Sequence, residues 1–335
     1  MKKLVSILLT VSFVLLVFSM GSIAADYTFK IGHVHQTTTA PHQALLAFSE
    51  YVAQNTDGNV KIEIYPDGAL GTGIQVIERT MTGTIDGSLG YSGGLYPYEK
   101  SIGVFSSYFL WDDYETMLEV WRGEVGQQVN EGLAESGFRV LGPICYAGER
   151  YLTTRETPIY SPEDLKGLKT RCVEDKIALA FTEAMGAIPT PIAFSELYMA
   201  LQQKIVNGQV NGLSQIWNQK FFEQQKYLML TNLKFTDFVL VVNENKFQSL
   251  PDEYQKVMID GAYNVWAEGV RENALKEEKE LIVKLQREGM IMTIPDRDAF
   301  KVLAHKKAYQ LEEEGVWPKG LFDQVLAQIE EIKSK

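Results

Sequence analysis

Val60-Lys61-Ile62-Glu63-Ile64-Tyr65 decides the fold. Apolar and charged residues alternate along it, the two-residue period of a strand with one covered face. Upstream, Pro41–Asn55 has Pro at its start and Leu45, Phe48 and Val52 near helical spacing, and Tyr27–Val34 ahead of it has strand character. Downstream, Ile74–Thr82 reads as a helix and Gly87–Tyr91 as a short strand. A β-α-β-α-β opening predicts an open α/β sheet with helices on its faces.

A second unit begins near Phe138, with a strand predicted over Phe138–Tyr146. Ser161-Pro162-Glu163-Asp164 opens a helical turn with Ser161 as cap. Lys169–Val173 is a strand, Ile177–Met185 a helix ended by Gly186, and Phe194–Gln203 another helix. Asn218–Tyr227 is expected to be helical, and Lys234–Val242 a strand returning the chain to the first unit. Ser249 as cap, Pro251 in the first turn and Asp252 completing a capping box start the longest helix, which runs to about residue 288.

The N-terminus addresses the compartment. Lys2 and Lys3 precede an apolar run, Leu4–Met20, then small residues up to Ala25 and charge at Asp26. This is the pattern of a secretory signal peptide over 1–25, cut after Ala24 or Ala25. The apolar run is short for a membrane span, and no Cys stands at the site to carry a lipid. About 310 residues remain, more than one hydrophobic core usually supports, so two lobes are expected. The formal charge of −11 becomes −13 once Lys2 and Lys3 leave. That balance argues against a nucleic-acid partner, which needs a basic face. Two cysteines, Cys145 and Cys172, are too few for a cysteine zinc site. Export permits a disulfide, while their apolar flanks favour two buried free thiols.

Catalytic motifs are sparse. No G-x-S-x-G elbow or phosphate-binding G-x-x-x-x-G-K-[ST] occurs, and Gly68, Gly71 and Gly73 do not make G-x-G-x-x-G. His33 and His35 alternate, and on one strand face they could hold a metal for a periplasmic hydrolase. Polar residues at a strand end explain the pair more simply. Arg171 closes the strand run Lys169-Thr170-Arg171, where ligands sit in open α/β sheets. A guanidinium there can grip a carboxylate through two parallel hydrogen bonds.

Leu165–Arg171, Gly186–Gln202 and Asn207-Gly208-Gln209-Val210-Asn211 together closely resemble the signature of the periplasmic substrate-binding proteins of TRAP (tripartite ATP-independent periplasmic) transporters, the DctP-like family. Asn55–Pro66, Leu70-Gly71, Lys220–Tyr227 and Leu250-Pro251 fit in the same order and spacing, so the resemblance spans nearly the whole mature chain. It implies a bilobal α/β periplasmic-binding fold: two open sheets with flanking helices, hinge strands and a long helix bridging both lobes. The lobes would be 26–148 with about 238–270, and 149–237 with about 290–335, braced by a helix over about 252–288. It implies a monomer, no enzyme, and neither cofactor nor metal. The partners implied are a small organic acid and a membrane permease driven by ion gradients.

Carried over residue by residue, Arg171 pairs with the acid group of the ligand, Arg150 is a second pocket arginine, and Asn211 is an amide that bonds the same acid. Phe194 is an aromatic lining position, with Trp217 available for an apolar body. Tyr91 and Ser92 reach the cleft from a first-lobe strand end, and His33 belongs to the segment that closes over the ligand. The chain departs from the pattern after the arginine, where Cys172-Val173-Glu174 replaces an aliphatic residue and Pro. Glu174 thus reads a polar group of the ligand or stays on the rim. A ligand-sensing protein for a signalling receptor would share the same pocket.

Overall fold

The alternation in Val60–Tyr65 is realised as a strand lying parallel to the one before it, with Phe29 opposite Ile62. The computed structural model describes residues 25–142, 148–267 and 271–334. The signal-peptide expectation therefore lies outside the described residues, as do Cys145 and the rest of 143–147.

The first sheet is built from β1 (Tyr27–Gly32), β2 (Val60–Tyr65), β3 (Gly87–Tyr91) and β4 (Phe138–Val140), with α1 (Ala40–Asn55), α2 (Gly73–Met81), α3 (Ser92–Leu95), α4 (Tyr114–Arg122) and α5 (Glu124–Glu135) between them. α1 starts with Pro41 in its first turn and turns Ala44, Leu45, Phe48 and Val52 inward. α2 begins with a reciprocal cap: the Gln75 amide N–H donates to Thr72 Oγ1, and the Thr72 N–H donates to Gln75 Oε1.

The second sheet takes β5 (Glu149–Thr154), β6 (Lys169–Cys172), β7 (Ile188–Pro191), β8 (Gly208–Gly212) and β9 (Tyr227–Phe235). α6 (Lys176–Ala184), α7 (Leu197–Gln202) and α8 (Leu213–Asn218) connect them. The chain then crosses back as β10 (Phe238–Asn243), followed by α9 (Glu244–Gln248), α10 (Asp252–Gly261), a π-helical turn over Ala262–Ala267, α11 (Arg271–Arg287), β11 (Ile291–Thr293), α12 (Arg297–Glu313) and α13 (Leu321–Lys333). The sheet orders are β2-β1-β3-β10-β4 and β11-β9-β5-β8-β6-β7.

β10 enters the first sheet antiparallel to both β3 and β4. Its six residues are all buried. Gly87 of β3 is a close-approach position: a Cβ there would sit 2.9 Å from the Val241 carbonyl.

Four expectations are corrected. Asn218–Tyr227 is not a helix: α8 ends at Asn218, Lys220 adopts φ 55°, and only a short 3₁₀ turn, Phe221–Glu223, precedes β9. Lys234–Val242 is two strands in two sheets, interrupted at Thr236-Asp237. The strand at Phe138 ends at Val140. Ser249 does not cap the long helix. It ends α9, its hydroxyl donating to the Lys246 carbonyl, and Pro251 precedes α10 without a side-chain cap.

The long helix is also not continuous. α10 gives way to the π turn at Ala262, where Gly261 is pressed on α1 so closely that a Cβ would lie 2.7 Å from the Tyr51 ring. After β11, α12 lies against α6 beside the second sheet, whereas α13 lies against α4 beside the first. Asp112 receives Arg297 at 3.0 Å and Lys333 at 2.7 Å, fastening both C-terminal helices to the first unit. No helix among the described residues is long and apolar enough to cross a membrane.

Leu240 is fully buried on β10, an interior strand of the first sheet. Leu240→Ala is expected to cost about 2–5 kcal/mol of stability through lost transfer energy and the cavity left behind. Urea unfolding should show a lower midpoint at unchanged slope. A loss under about 0.5 kcal/mol, the scale of a surface change, would contradict this placement.

Candidate functional site

Between the two sheets lies a cavity of about 300 Å³ lined from both sides. The first sheet and its loops contribute His35, Tyr91, Ser106 and Phe238; the second contributes Arg150, Arg171, Asn211, Lys234 and Phe194.

Arg171 sits near the C-terminal end of β6, opposite Gln209 of β8 and Thr190 of β7. The side chain is 2% exposed, and its Nε donates to the Ile192 carbonyl at 2.9 Å. That one bond leaves both terminal nitrogens free of a described protein partner. Burial, with Arg150 close by, pulls the guanidinium down to about 10. Arg150 on β5 is half-buried, with its Nε enclosed and unpartnered. Its Nη1 donates to Asn211 Oδ1 at 3.2 Å, and the guanidinium lies 5.6 Å from the centre of the Phe238 ring. No described carboxylate forms an ion pair with either arginine.

Asn211 is held from behind. Its Nδ2 donates to Gln209 Oε1, the Gln209 amide donates to Thr153 Oγ1 at 2.8 Å, and that hydroxyl donates to Gln225 Oε1 at 3.1 Å. The chain of bonds fixes the amide so that its oxygen faces Arg150. In this arrangement Asn211 orients a guanidinium, and one of its two N–H groups is already committed.

The crossing from β9 to β10 brings a second charged group. β5 and β9 change register between Arg150 opposite Lys234 and Leu152 opposite Met229, and Asn232 within the intervening bulge has φ 49°. Such a bulge re-aims the residues after it. Lys234 reaches the cavity wall and pairs with Asp237 at 3.1 Å. Asp237 Oδ2 also accepts from the Ser106 hydroxyl at 2.7 Å and the Ser92 amide at 3.3 Å. Burial alone would raise the Asp237 carboxyl, but Lys234, Ser106 and Arg150 outweigh it and hold it below the ordinary value.

Asp175 caps α6, accepting from the Ala178 amide at 2.7 Å. It also touches the first unit: a Cβ on Gly93 would lie 2.7 Å from its carboxyl carbon. Burial, despite the capping bond, pushes it up to about 6, with Asp237 adding repulsion.

Of the sequence-predicted site residues, Arg171, Arg150, Asn211, Phe194, Tyr91 and Glu174 line the cavity. Glu174 is exposed at its rim, and burial raises the Tyr91 hydroxyl. Ser92, His33 and Trp217 are not on the wall. Ser92 is buried with its amide on Asp237, and Trp217 stacks on Phe222 with ring centres 5.1 Å apart. His33 lies 1% exposed behind His35, its Nε2 3.1 Å from His42 Nδ1.

Among the described residues no group of three or more His, Cys, Asp or Glu has metal-holding geometry, and His33 Nδ1 is already engaged by the His35 amide at 3.1 Å. The proposed hydrolase pair is therefore divided between a hydrogen-bonded core histidine and a cavity histidine. Cys172 is a buried free thiol, raised to about 11 by burial. Sequence reasoning missed Lys234, Asp237, Asp175 and Ser106 as wall residues. The available signal was a Lys and an Asp three residues apart inside an apolar run, since buried charge needs a partner.

Two sheets facing each other across an internal, arginine-bearing cavity are the architecture of a two-lobed receptor for a small solute. The profile of the bacterial extracellular solute-binding proteins, family 7 (DctP), matches residues 31–313, and the chain belongs to that family. It is 28% identical over 281 residues to the 2,3-diketo-L-gulonate-binding periplasmic protein YiaO of Escherichia coli, covering 84% of each chain. The fold superposes with TM-score 0.85 on a TRAP periplasmic solute-binding protein of Ochrobacterium anthropi with bound L-fuconate, at 29% identity, covering 91% of this chain and 100% of that one. A TRAP solute-binding protein of Desulfovibrio salexigens with bound orotic acid gives TM-score 0.84 at 28% identity, covering 90% and 99%. These relatives are binding proteins, not enzymes.

Asp175 supplies a pH test. Its folded carboxyl holds a proton more tightly than the ordinary value near 3.9. The folded state thus binds more protons, so this contribution is full below about pH 4 and is lost as pH rises through about 6. Asp175→Asn keeps a capping oxygen without the charge. The ligand-free variant should exceed wild type in stability at pH 7 by about 1–3 kcal/mol, the gap closing toward pH 4. A pH-independent gap in denaturation midpoints would refute the assignment.

Proposed function

We propose that this chain is an extracytoplasmic receptor that captures a small organic acid in the interlobe cavity through Arg171 and hands it to a TRAP-type permease driven by ion gradients. The single observation that carries the reading is the pair of cavity-facing guanidiniums with which no described carboxylate forms an ion pair. Removing a cation from water is unfavourable unless an anion or hydrogen-bond acceptors replace the lost solvent. A ligand carboxylate supplies both, in the two-pronged geometry a guanidinium favours. The named relatives support the class, since diketogulonate, fuconate and orotate each carry one acid group.

In this reading Arg150, oriented by Asn211, completes the acid site, and Phe194 and Tyr91 pack the ligand body. Lobe I is 26–148 with about 238–270, lobe II is 149–237 with about 290–335, of which α13 reaches back to α4 of lobe I, and the segment 252–288 braces them. The receptor works as a monomer in the periplasm after its leader is removed, and it needs no cofactor. Ligand favours the closed arrangement by the difference between its contacts in the open and closed states.

The cognate acid is to be found by thermal shift across a panel of sugar acids, hydroxy acids, oxo acids and dicarboxylates, because a tight ligand raises the melting temperature by mass action. Calorimetry with that acid then tests the site. Arg171→Ala should cost about 2–5 kcal/mol of binding, because the buried anion loses one of its two guanidinium partners. Arg171→Lys should restore only part, since an ammonium lacks the planar fork. Wild-type affinity in Arg171→Ala would end this assignment.

A further inference from the structure

His35 lies against the same aromatic wall as the arginines. Its ring centre is 4.5 Å from that of Phe238, the ring that also carries the Arg150 guanidinium, and 6.2 Å from that of Phe194. The residue is 6% exposed and lines the cavity. Its Nδ1 is buried with no hydrogen-bond partner, and no described protein group bonds either ring nitrogen. A buried, orphaned polar atom is uncommon in folded proteins and calls for an explanation.

The neighbouring histidines are satisfied, which isolates the anomaly. The His35 amide donates to His33 Nδ1 at 3.1 Å, so the His33 proton resides on Nε2, which donates to His42 Nδ1 at 3.1 Å. His33 and His42 thus hold the loop and fix the His35 backbone, while the His35 ring is left for another partner. Burial, together with His33 and Arg150, keeps that ring well below the ordinary histidine value. A neutral imidazole offers one donor and one acceptor. That matches a hydroxyl or oxo group better than a second carboxylate.

The rest of the wall agrees. Arg150, Arg171 and Lys234 are its described cations, against the carboxylates of Asp67, Glu174, Asp175 and Asp237. Lys234 is already paired with Asp237. The two arginines therefore suit one acid group, and the remaining carboxylates repel a second.

We propose that His35 is the specificity-determining residue of the cavity, hydrogen-bonding a hydroxyl or oxo group on the chain of a monocarboxylate and so selecting a hydroxylated or oxo monoacid over an alkyl acid or a dicarboxylate. The proposal rests on the acid-binding reading of Arg171 and Arg150. It assigns His33 the role of a positioning residue behind His35.

Calorimetry on the full-length mature protein tests it with five six-carbon probes: L-fuconate, L-galactonate, D-gluconate, hexanoate and adipate. At least one of the three hydroxylated acids should bind wild type tenfold or more tighter than hexanoate or adipate, because a site built around a hydrogen bond discriminates against analogues lacking it. His35→Ala should lose about tenfold or more on that hydroxylated acid while leaving hexanoate within twofold. His35→Gln, which keeps a donor and an acceptor, should recover part of the preference. Equal binding of hexanoate, a preference for adipate, failure of all five probes to bind, or an alanine variant weakened equally for every acid would each overturn the proposal. Arg171→Ala separates the two readings. If it weakens all bound acids while His35→Ala leaves the preference intact, the acid site stands and the role of His35 falls. If Arg171→Ala binds like wild type, the acid site itself falls.

Discussion

Two guanidiniums face one cavity, and no described carboxylate forms an ion pair with either, although Asp237 and Asp175 lie close enough to act on Arg150 through the field. The surrounding structure is arranged to keep it so. Arg171 is held through its Nε by a backbone carbonyl, a neutral acceptor that fixes direction without cancelling charge. Arg150 is steadied by Asn211, again a neutral oxygen, backed by Gln209, Thr153 and Gln225. A carboxylate at either place would have satisfied the cation permanently. Neutral acceptors orient the forks and leave the charge to be answered from outside.

The other buried cation shows the contrast. Lys234 meets Asp237 directly, and Asp237 is further bonded by Ser106 and by the Ser92 amide. This pair sits where β9 leaves one sheet and β10 enters the other. Lys234 belongs to the second sheet, while Ser106 and Ser92 come from the first unit. The internally satisfied pair therefore ties the lobes at the crossing, and the two arginines without an ion pair line the same gap. Breaking a buried ion pair is far more costly than losing an exposed one, so the crossing is a fixed point about which the lobes meet.

Much of this was legible from local pattern. The alternation in Val60–Tyr65 and the capped, amphipathic helix before it depend on residues a few positions apart, and the sheet formed as read. Arg171 was legible because it ends a strand inside a recognisable motif. What failed depended on distant partners. Lys234–Val242 reads as one strand because nothing local reveals that its halves join different sheets. Asn218–Tyr227 contains no Gly or Pro, yet Lys220 adopts a left-handed conformation and the helix stops. Ser249 and Asp252 fit a capping box, but the preceding short helix claimed the serine first. His33 and His35 looked like neighbours on one strand face. β1 ends at Gly32, so the period of two no longer applies, and one ring turns into the core while the other meets the cavity.

The connections between lobes limit what closure can be. The chain crosses at β9–β10, α12 leans on α6 beside the second sheet, and α13 leans on α4 beside the first. Asp112 then binds cations from both C-terminal helices. So many attachments disfavour free rotation and leave bending at a few element ends, the usual form of hinge motion. The end of α10 is such a place, since its regular hydrogen bonding changes to a π turn at Ala262 where Gly261 is wedged against Tyr51. A receptor constrained in this way does not need a large driving force to choose between its states. In the proposed reading, one carboxylate seated on the two guanidiniums, with the first-lobe wall of His35 and Phe238 brought against it, would supply the difference in contact energy between the two states.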